Sequence, residues 1–121
     1  MQDLTLESIL EIHDGIMAKE GGDSRVLSEG NLHEIVFRAN ILEETYKRAA
    51  SVLYSLCAYP AFRKGNRRTA LRLAETILAS NGCRADIPCE AFRALVKGID
   101  EFTAEIEDVE QFLALHSGKK T

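Results

Sequence analysis

Apolar residues recur at three- and four-residue spacing in nearly every segment of this 121-residue chain, which is the pattern of amphipathic helices. The first predicted helix runs from about Leu6 to Lys19, with Thr5 as its N-cap. Five further helices are expected over about 31–39, 42–58, 66–81, 88–98 and 106–116. No segment alternates apolar and polar residues for long enough to indicate a sheet. The predicted fold is therefore all-α, a compact bundle of about six helices.

Turn-forming residues mark the ends of these helices, and broad apolar faces supply the core between them. Gly21 and Gly22 are expected to make the loop after the first helix mobile. Pro60 ends the third helix, Asn81–Gly82 is a C-terminal signal, and Pro88 suits the first turn of the fifth helix. The broad face predicted to be buried lies on the third helix: Tyr46, Ala49, Ala50, Leu53, Leu56 and Cys57. The first helix has an apolar stripe formed by Leu6, Ile9, Leu10, His13, Ile16 and Met17, and the last helix carries Ile106, Val109, Phe112 and Leu113 on one face.

Length and charge narrow the class of protein. The 121 residues fit a single domain, 1–121. The net charge of -4 does not favour nonspecific nucleic-acid binding, and we expect no specific nucleic acid as a partner. The apolar runs are too short to cross a bilayer, and the N-terminal stretch lacks the cationic lead of a signal peptide. No membrane association is therefore expected.

Cysteine usage bears on metal binding and location. Cys57, Cys83 and Cys89 are odd in number, and their spacing is not that of a zinc site. We therefore predict no metal ligands among them. The expectation is reduced, buried thiols in a cytoplasmic protein.

The most specific stretch of the chain is AYPAFRKGNRRTALRLAETILASNG, residues 58–82. Five of the fifteen lysines and arginines lie in its middle: Arg63, Lys64, Arg67, Arg68 and Arg72. Gly65–Asn66 stands where a loop enters a helix, and the free N–H groups of a helix start carry partial positive charge. Glycine also leaves room for an oxygen to approach. The stretch predicts a phosphate or carboxylate site, and the alternative is a solvated basic face on a core helix.

The same stretch resembles the signature of the Fic/Doc family, particularly its short death-on-curing (Doc-like) branch. That signature reads roughly H-P-F-x-D-G-N-K-R-T-A-L, followed by a helix ending in N-G. Arg67 keeps the charge of the family lysine, and the direct matches are Phe62, Gly65, Asn66, Arg68, Thr69, Ala70 and Leu71. The flanks agree too: LTLESILEIHDGIMAKEGG looks like the opening helix of the family, RVLSEGNLHEIVFRA like its flap and second helix, AASVLYSLCA like the helix before the motif, and IEDVEQFLAL like its closing helix.

The resemblance implies a helical fold around a central helical hairpin, a Fic/Doc-like core. Active members transfer a nucleotidyl or phosphoryl group from a nucleoside triphosphate to a hydroxyl of a target protein. The family histidine acts on that hydroxyl, the family acid holds Mg²⁺, and the glycine–asparagine turn with its arginine cradles phosphates. Carried over, the cradle falls on Gly65, Asn66, Arg67 and Arg68, with Phe62 as a core anchor beneath the loop.

Two positions depart from the family signature, and they are the chemical ones. The histidine position holds Pro60, which cannot relay a proton. The acid position holds Lys64, whose ammonium cannot ligate Mg²⁺ but can join the cradle by pairing with phosphate oxygens. Neighbouring Tyr59 should leave the backbone in another direction. We therefore assign no catalytic residue.

The three histidines are remote from the motif in sequence. His13 is expected to be a satisfied core histidine, because it falls on the apolar stripe of the first helix. His33 would line the site only if the second helix folds over it, and His116 lies near the end of the chain.

Three functions stay open at this point. The preferred one is a degenerate Fic/Doc protein that binds ATP, another nucleotide or another polyanion without Mg²⁺. The second is an active transferase of AMP or phosphoryl groups to a protein hydroxyl, using displaced catalytic groups. The third is a toxin–antitoxin-type interaction module, whose partner is an antitoxin-like segment or a protein target. The acid-rich IDEFTAEIEDVEQ stretch is read as a solvated face, with a partner surface as the alternative. The oligomeric state is open.

Overall fold

A computed structural model describes residues 1–119 of the chain. Its elements are α1 (Leu6–Glu20), α2 (Glu29–Asn40), α3 (Thr45–Ala58), α4 (Asn66–Ser80), β1 (Cys83–Ala85), α5 (Cys89–Asp100), α6 (Ile106–Leu115) and β2 (Ser117–Lys119). The prediction of an all-α bundle of about six helices is confirmed. No helix within residues 1–119 has the length and apolar character needed to cross a membrane.

The helix ends follow local capping chemistry. The hydroxyl of Thr5 accepts from the N–H of Ser8, so the predicted N-cap of α1 is confirmed. The second helix begins two residues earlier than predicted, because the Ser28 hydroxyl caps it by accepting from the N–H of Asn31. The prediction for Pro88 is wrong by one position: with φ -63 and ψ 141 it is the extended N-cap of α5 rather than part of its first turn.

A two-stranded antiparallel ribbon was not predicted. β1 pairs with β2 so that Cys83 lies opposite Lys119 and Ala85 opposite Ser117. Each strand has three residues, which is too short to show the alternation that indicates a strand in sequence. The ribbon joins the segment after α4 to the segment after α6, and so closes the bundle at that end.

α3 lies at the centre of the fold and packs against α2, α4, α5 and α6. Its predicted core face is confirmed at Ala49, Ala50, Leu53, Leu56 and Cys57, which are buried. Tyr46, which was predicted on the same face, is only half-buried. The hairpin of α3 and α4 is the main packing unit, and the loop 59–65 joins its two helices. α1 packs against α4 beside that loop, burying Ile9, His13 and Met17.

A buried arginine fixes the N-terminal end of α3. Arg48 is only 4% exposed, and its guanidinium donates to the carbonyls of Gln2, Asn40 and Leu42. A buried charge is tolerated when its donors are satisfied, so these bonds join the start of the chain to the α2–α3 turn.

Candidate functional site

The loop between α3 and α4 ends in a glycine that no other residue could replace without strain. Gly65 is the N-cap of α4 and adopts a left-handed conformation, φ 82 and ψ 11. A Cβ at this position would lie 2.9 Å from Sδ of Met17 and 3.3 Å from Nε2 of His13. Both the backbone angle and the close approach of α1 therefore require glycine.

Asn66 organises the loop that precedes it. Its Oδ1 accepts from the backbone N–H groups of Ala61 (3.1 Å) and Phe62 (2.9 Å), and its Nδ2 donates to the carbonyl of Phe62 (2.8 Å). These bonds use Oδ1 twice and one of the two Nδ2 hydrogens. The sequence placed Asn66 in a phosphate cradle, and the structure commits most of its side chain to holding the loop instead.

Phe62 is the anchor of the loop. It is 1% exposed, and its ring stacks on the imidazole of His13 with centroids 3.6 Å apart and an interplanar angle of 7°. The prediction that Phe62 sits in the core beneath the loop is confirmed. The loop is consequently held from below by α1 and from within by Asn66.

A segment before α2 runs along the same loop. Val26 and Phe62 form an isolated antiparallel bridge, and the N–H groups of Leu27 and Ser28 both donate to the carbonyl of Ala61. The N–H of Arg63 donates to the carbonyl of Arg25. The stretch that resembles the family flap therefore lies against the motif loop.

The first turn of α4 offers unused backbone donors. The first bond of the helix runs from the N–H of Thr69 to the carbonyl of Gly65, and no side chain caps this end. Within the described chain, the N–H groups of Asn66, Arg67 and Arg68 have no backbone or side-chain acceptor. These donors and the helix dipole favour an anion at this position.

All of the predicted site residues meet at one cleft. A cavity of about 610 Å³ opens over the start of α4, and its wall includes Pro60, Lys64, Gly65, Asn66, Arg67 and Arg68. α1 contributes Met17 and Glu20 to the wall, and Gly21, its C-cap, lies beside them. α3 contributes Cys57, and the end of α5 contributes Asp100. A volume of this size fits the range of small-molecule and cofactor sites.

Three arginines of the cluster are paired with carboxylates of the same chain. Arg67 bonds to Asp100 at 2.6 Å, and Arg68 lies 3.2 Å from Glu20. Arg63 lies 3.4 Å from Asp23, on the rim of the cleft. The sequence reasoning assumed guanidiniums free for a ligand, so this part of the expectation is corrected.

These ion pairs are exposed, and exposed pairs contribute little to stability. The side chains of Arg67 and Arg68 are 61% and 71% accessible. Pairs of this kind are worth about 0–1 kcal/mol, so a more highly charged anion can displace either carboxylate at small cost. Lys64 is the cleft cation that has no carboxylate within 4.0 Å among residues 1–119. Its side chain lies against Gly22, in the loop predicted to be mobile.

The residues that could perform proton transfer are mostly absent from the cleft. Tyr59 is 54% exposed and lines a separate hollow between α2 and α3. His33 is exposed on α2 and His116 follows α6; neither lines the cleft in the described part of the chain. The thiol of Cys57 does line it, but burial raises the pKa of Cys57 to about 12, which keeps it protonated.

His13 differs from the core histidine that the sequence predicted. It is fully buried, and its Nε2 lies 2.8 Å from the carbonyl oxygen of Lys64. Its Nδ1 is buried without any hydrogen-bond partner in the described structure. The ring is therefore only half satisfied, and it contacts the motif loop across 51 residues of sequence.

The cysteine prediction is partly wrong. Cys57 is buried and Cys83 half-buried, but Cys89 is exposed at the first residue of α5. All three are free thiols. Among residues 1–119, no three His, Cys, Asp or Glu side chains come close enough together to hold a metal ion.

Five wall residues were not identified from the sequence as part of the site: Met17, Glu20, Gly21, Cys57 and Asp100. Only Glu20 had a local signal, because it precedes the Gly21–Gly22 break that turns the chain at the rim of the cleft. Comparison of the chain with family models and with curated proteins found no match. The Fic/Doc resemblance therefore stays a prediction that rests on the motif residues.

Proposed function

We propose that this chain is a degenerate Fic/Doc-like protein whose cleft binds the phosphates of ATP or another nucleotide without Mg²⁺ and lacks group-transfer activity. One observation carries the proposal. The positions that match the family's phosphate cradle and the two that depart from it, Pro60 and Lys64, line the same cleft at the start of α4. With reduced thiols and a cellular nucleotide as ligand, the cytoplasm is the compartment that fits it.

Phosphate binding is supported by three kinds of donor in one place. The unused N–H groups of the first turn are supplemented by Lys64 and by guanidiniums that exchange an internal carboxylate for a phosphate oxygen. Phosphate carries more charge and more acceptor oxygens than a carboxylate. A polyphosphate chain is accordingly the class of ligand best able to displace Asp100 and Glu20.

Loss of group transfer is supported by what occupies the two chemical positions. Pro60 offers no general base to a target hydroxyl, and such assistance is worth about 10²–10⁴-fold. Lys64 neutralises phosphate charge but cannot bridge two phosphates as a metal ion does. In this proposal the cleft still positions the nucleotide but no longer catalyses transfer of a group from it.

Nucleotide binding is tested by thermal unfolding with and without ATP in EDTA. ATP at 100 times its Kd should stabilise the fold by about 2.7 kcal/mol. Lys64→Gln should weaken this stabilisation, whereas Lys47→Gln, which removes the same charge from α3 outside the cleft wall, should not. Equal effects of the two variants would mean that binding is nonspecific attraction to cations.

Group transfer is tested with labelled ATP, Mg²⁺ and candidate protein targets. We expect no labelled target. The restorative variant Pro60→His with Lys64→Asp should make nucleotide binding depend on Mg²⁺; unchanged metal dependence would mean that the motif register is wrong. Robust Mg²⁺-dependent labelling by the natural chain would favour the active-transferase alternative, for which Asp100 and Glu20 are the carboxylates available in the cleft.

A groove beside the cleft favours the interaction module as a second candidate function. It encloses about 480 Å³ between α1, α4 and α5. Its apolar wall is formed by Ile16, Leu71, Ile87 and Phe92. Its rim is mainly cationic, with Lys19, Arg67, Arg68, Arg72 and Arg93 against the two carboxylates of Glu20 and Glu75. An acidic amphipathic segment, such as an antitoxin-like peptide, has the matching chemistry. Stabilisation by such a peptide, with none by ATP, would favour this function over nucleotide binding.

A further inference from the structure

His13 is a buried titratable side chain that contacts the cleft loop and takes no part in the proposed binding. It lies in α1, fully buried, with its ring flat against Phe62 and its Nε2 2.8 Å from the carbonyl oxygen of Lys64. A carbonyl oxygen only accepts hydrogen bonds, so Nε2 must carry the proton and Nδ1 the bare lone pair. Nδ1 is then a buried acceptor without a partner in the described structure.

The bond to His13 fixes the orientation of one peptide unit. The chain contains no cis peptide in its described part, and the C=O and N–H of a trans peptide point in opposite directions. Because the carbonyl of Lys64 points into α1, the N–H of Gly65 points away from α1. Gly65 then turns into the left-handed region, φ 82, and the free N–H groups of Asn66 and Arg67 follow. Successive N–H groups around a left-handed residue form an anion-binding concavity.

No other hydrogen bond among residues 1–119 holds the Lys64–Gly65 peptide in its observed orientation. The hydrogen bonds of Asn66 fix the backbone at Ala61 and Phe62, and the bridge to Val26 fixes Phe62. None of them reaches the Lys64–Gly65 peptide. Without His13 that peptide is free to rotate, since glycine imposes no restriction on its own.

We propose that His13 is the positioning residue of the anion-binding loop: its Nε2–H holds the Lys64 carbonyl inward and so aims the Gly65 N–H at the cleft. Its imidazole does not contact the ligand. The expected effect of His13 on phosphate affinity rests on the proposed function, whereas its effect on the orientation of the Lys64–Gly65 peptide does not.

Two substitutions separate the hydrogen bond from the packing. His13→Phe keeps an aromatic ring on Phe62 and removes the donor, and His13→Gln supplies an amide donor near the position of Nε2. With pyrophosphate as the probe in EDTA, measured by calorimetry, His13→Phe should lose about 10-fold in affinity, corresponding to one hydrogen bond of about 1.4 kcal/mol. His13→Gln should recover to within about threefold of the natural chain. Ile9→Val, a core truncation on the same helix, should lower stability without changing affinity.

Equal losses in the Phe and Gln variants, or no loss in either, would overturn the proposal, because both results would assign His13 to packing alone. A second measurement keeps the test independent of the ligand and of whether His13→Phe folds. In ¹⁵N NMR of the natural chain at pH 8, His13 should show the Nε2–H tautomer, and the Gly65 amide should shift in His13→Phe and return in His13→Gln. An Nδ1–H tautomer would refute the inference. If pyrophosphate binds to no variant, the proposed function fails, and the NMR measurements still decide the role of His13.

Discussion

Replacing Gly65 with alanine should damage the protein more than the same change at another left-handed glycine. Gly65 and Gly82 have nearly the same backbone angle, φ +82 and +79. Forcing an alanine into that region costs about 1–2 kcal/mol at either position. A Cβ at Gly82 meets nothing within 4 Å, so Gly82→Ala measures the backbone cost alone.

The additional cost at Gly65 comes from the side chains that α1 places against it. The new Cβ would stand 2.9 Å from Met17 Sδ and 3.3 Å from His13 Nε2. Met17 is 7% exposed and the His13 ring is clamped on Phe62, so neither can retreat freely. Overpacking of this kind costs about 1–3 kcal/mol. The total for Gly65→Ala is therefore about 2–5 kcal/mol, against about 1–2 kcal/mol for Gly82→Ala.

Urea unfolding at pH 7 measures all the required free energies. Gly15→Ala should instead raise the free energy of unfolding, by about 0.5–1 kcal/mol. Gly15 lies in the interior of α1 with open space around it, so alanine fits there without strain. The double variant Gly65→Ala with Met17→Ala should recover part of the clash, giving an interaction energy of about 1 kcal/mol. A cost for Gly65→Ala no greater than for Gly82→Ala would refute the close approach of α1 to the loop.

Three further outcomes follow from individual side chains. Phe102 is 90% exposed at φ 61, so Phe102→Gly should raise the free energy of unfolding by about 1 kcal/mol in urea titration. Burial raises the pKa of the Glu75 carboxyl above 4.5, and nearby Arg72 opposes this shift. The contribution of Glu75 to stability is therefore present below pH 4.5 and is lost as the pH rises through the pKa of the folded state. Glu75→Gln should therefore stabilise the protein at pH 7 and lose that advantage at pH 4. Iodoacetamide at pH 8 should alkylate exposed Cys89 and leave Cys57 unmodified. A pKa of about 12 leaves only about one Cys57 thiol in 10⁴ ionised at that pH. Alkylation of Cys57 in the native protein at a rate similar to that of Cys89 would contradict the burial of the α3 face.

The helices could be predicted because their signals are local. The Thr5 cap, the apolar spacing of α1 and the Pro60 break all lie within a few residues of the element they define. The prediction failed where a partner distant in sequence decides the structure. β1 has three residues and exists only because residues 117–119 return beside it, which no local pattern records. The prediction that Cys89 is buried was wrong for a related reason, because packing decides which face of α5 turns toward the core.

The position of the cleft loop could be predicted for the same reason as the helices, because residues 60–68 form one continuous stretch. What the sequence could not supply was the chemistry brought to that stretch from elsewhere. Asp100 reaches Arg67 across 33 residues, and His13 reaches Lys64 across 51. Counting cations in a window of ten residues therefore overstated the free charge of the cleft.

The ion pairs between cleft arginines and internal carboxylates change which anions the cleft can select. A cluster of free arginines would attract any anion, including the carboxylates common on protein surfaces. With Arg67 held by Asp100 and Arg68 by Glu20, a single carboxylate from outside gains nothing by exchange, since it replaces a group of its own kind. A ligand gains only by carrying more charge per contact or by using donors that the internal carboxylates leave free, which are Lys64 and the N–H groups of the first turn. Under the proposed function, the internal ion pairs therefore favour polyphosphates over carboxylates, in a cleft where Lys64 stands at the position that matches the metal-binding acid of the Fic/Doc signature.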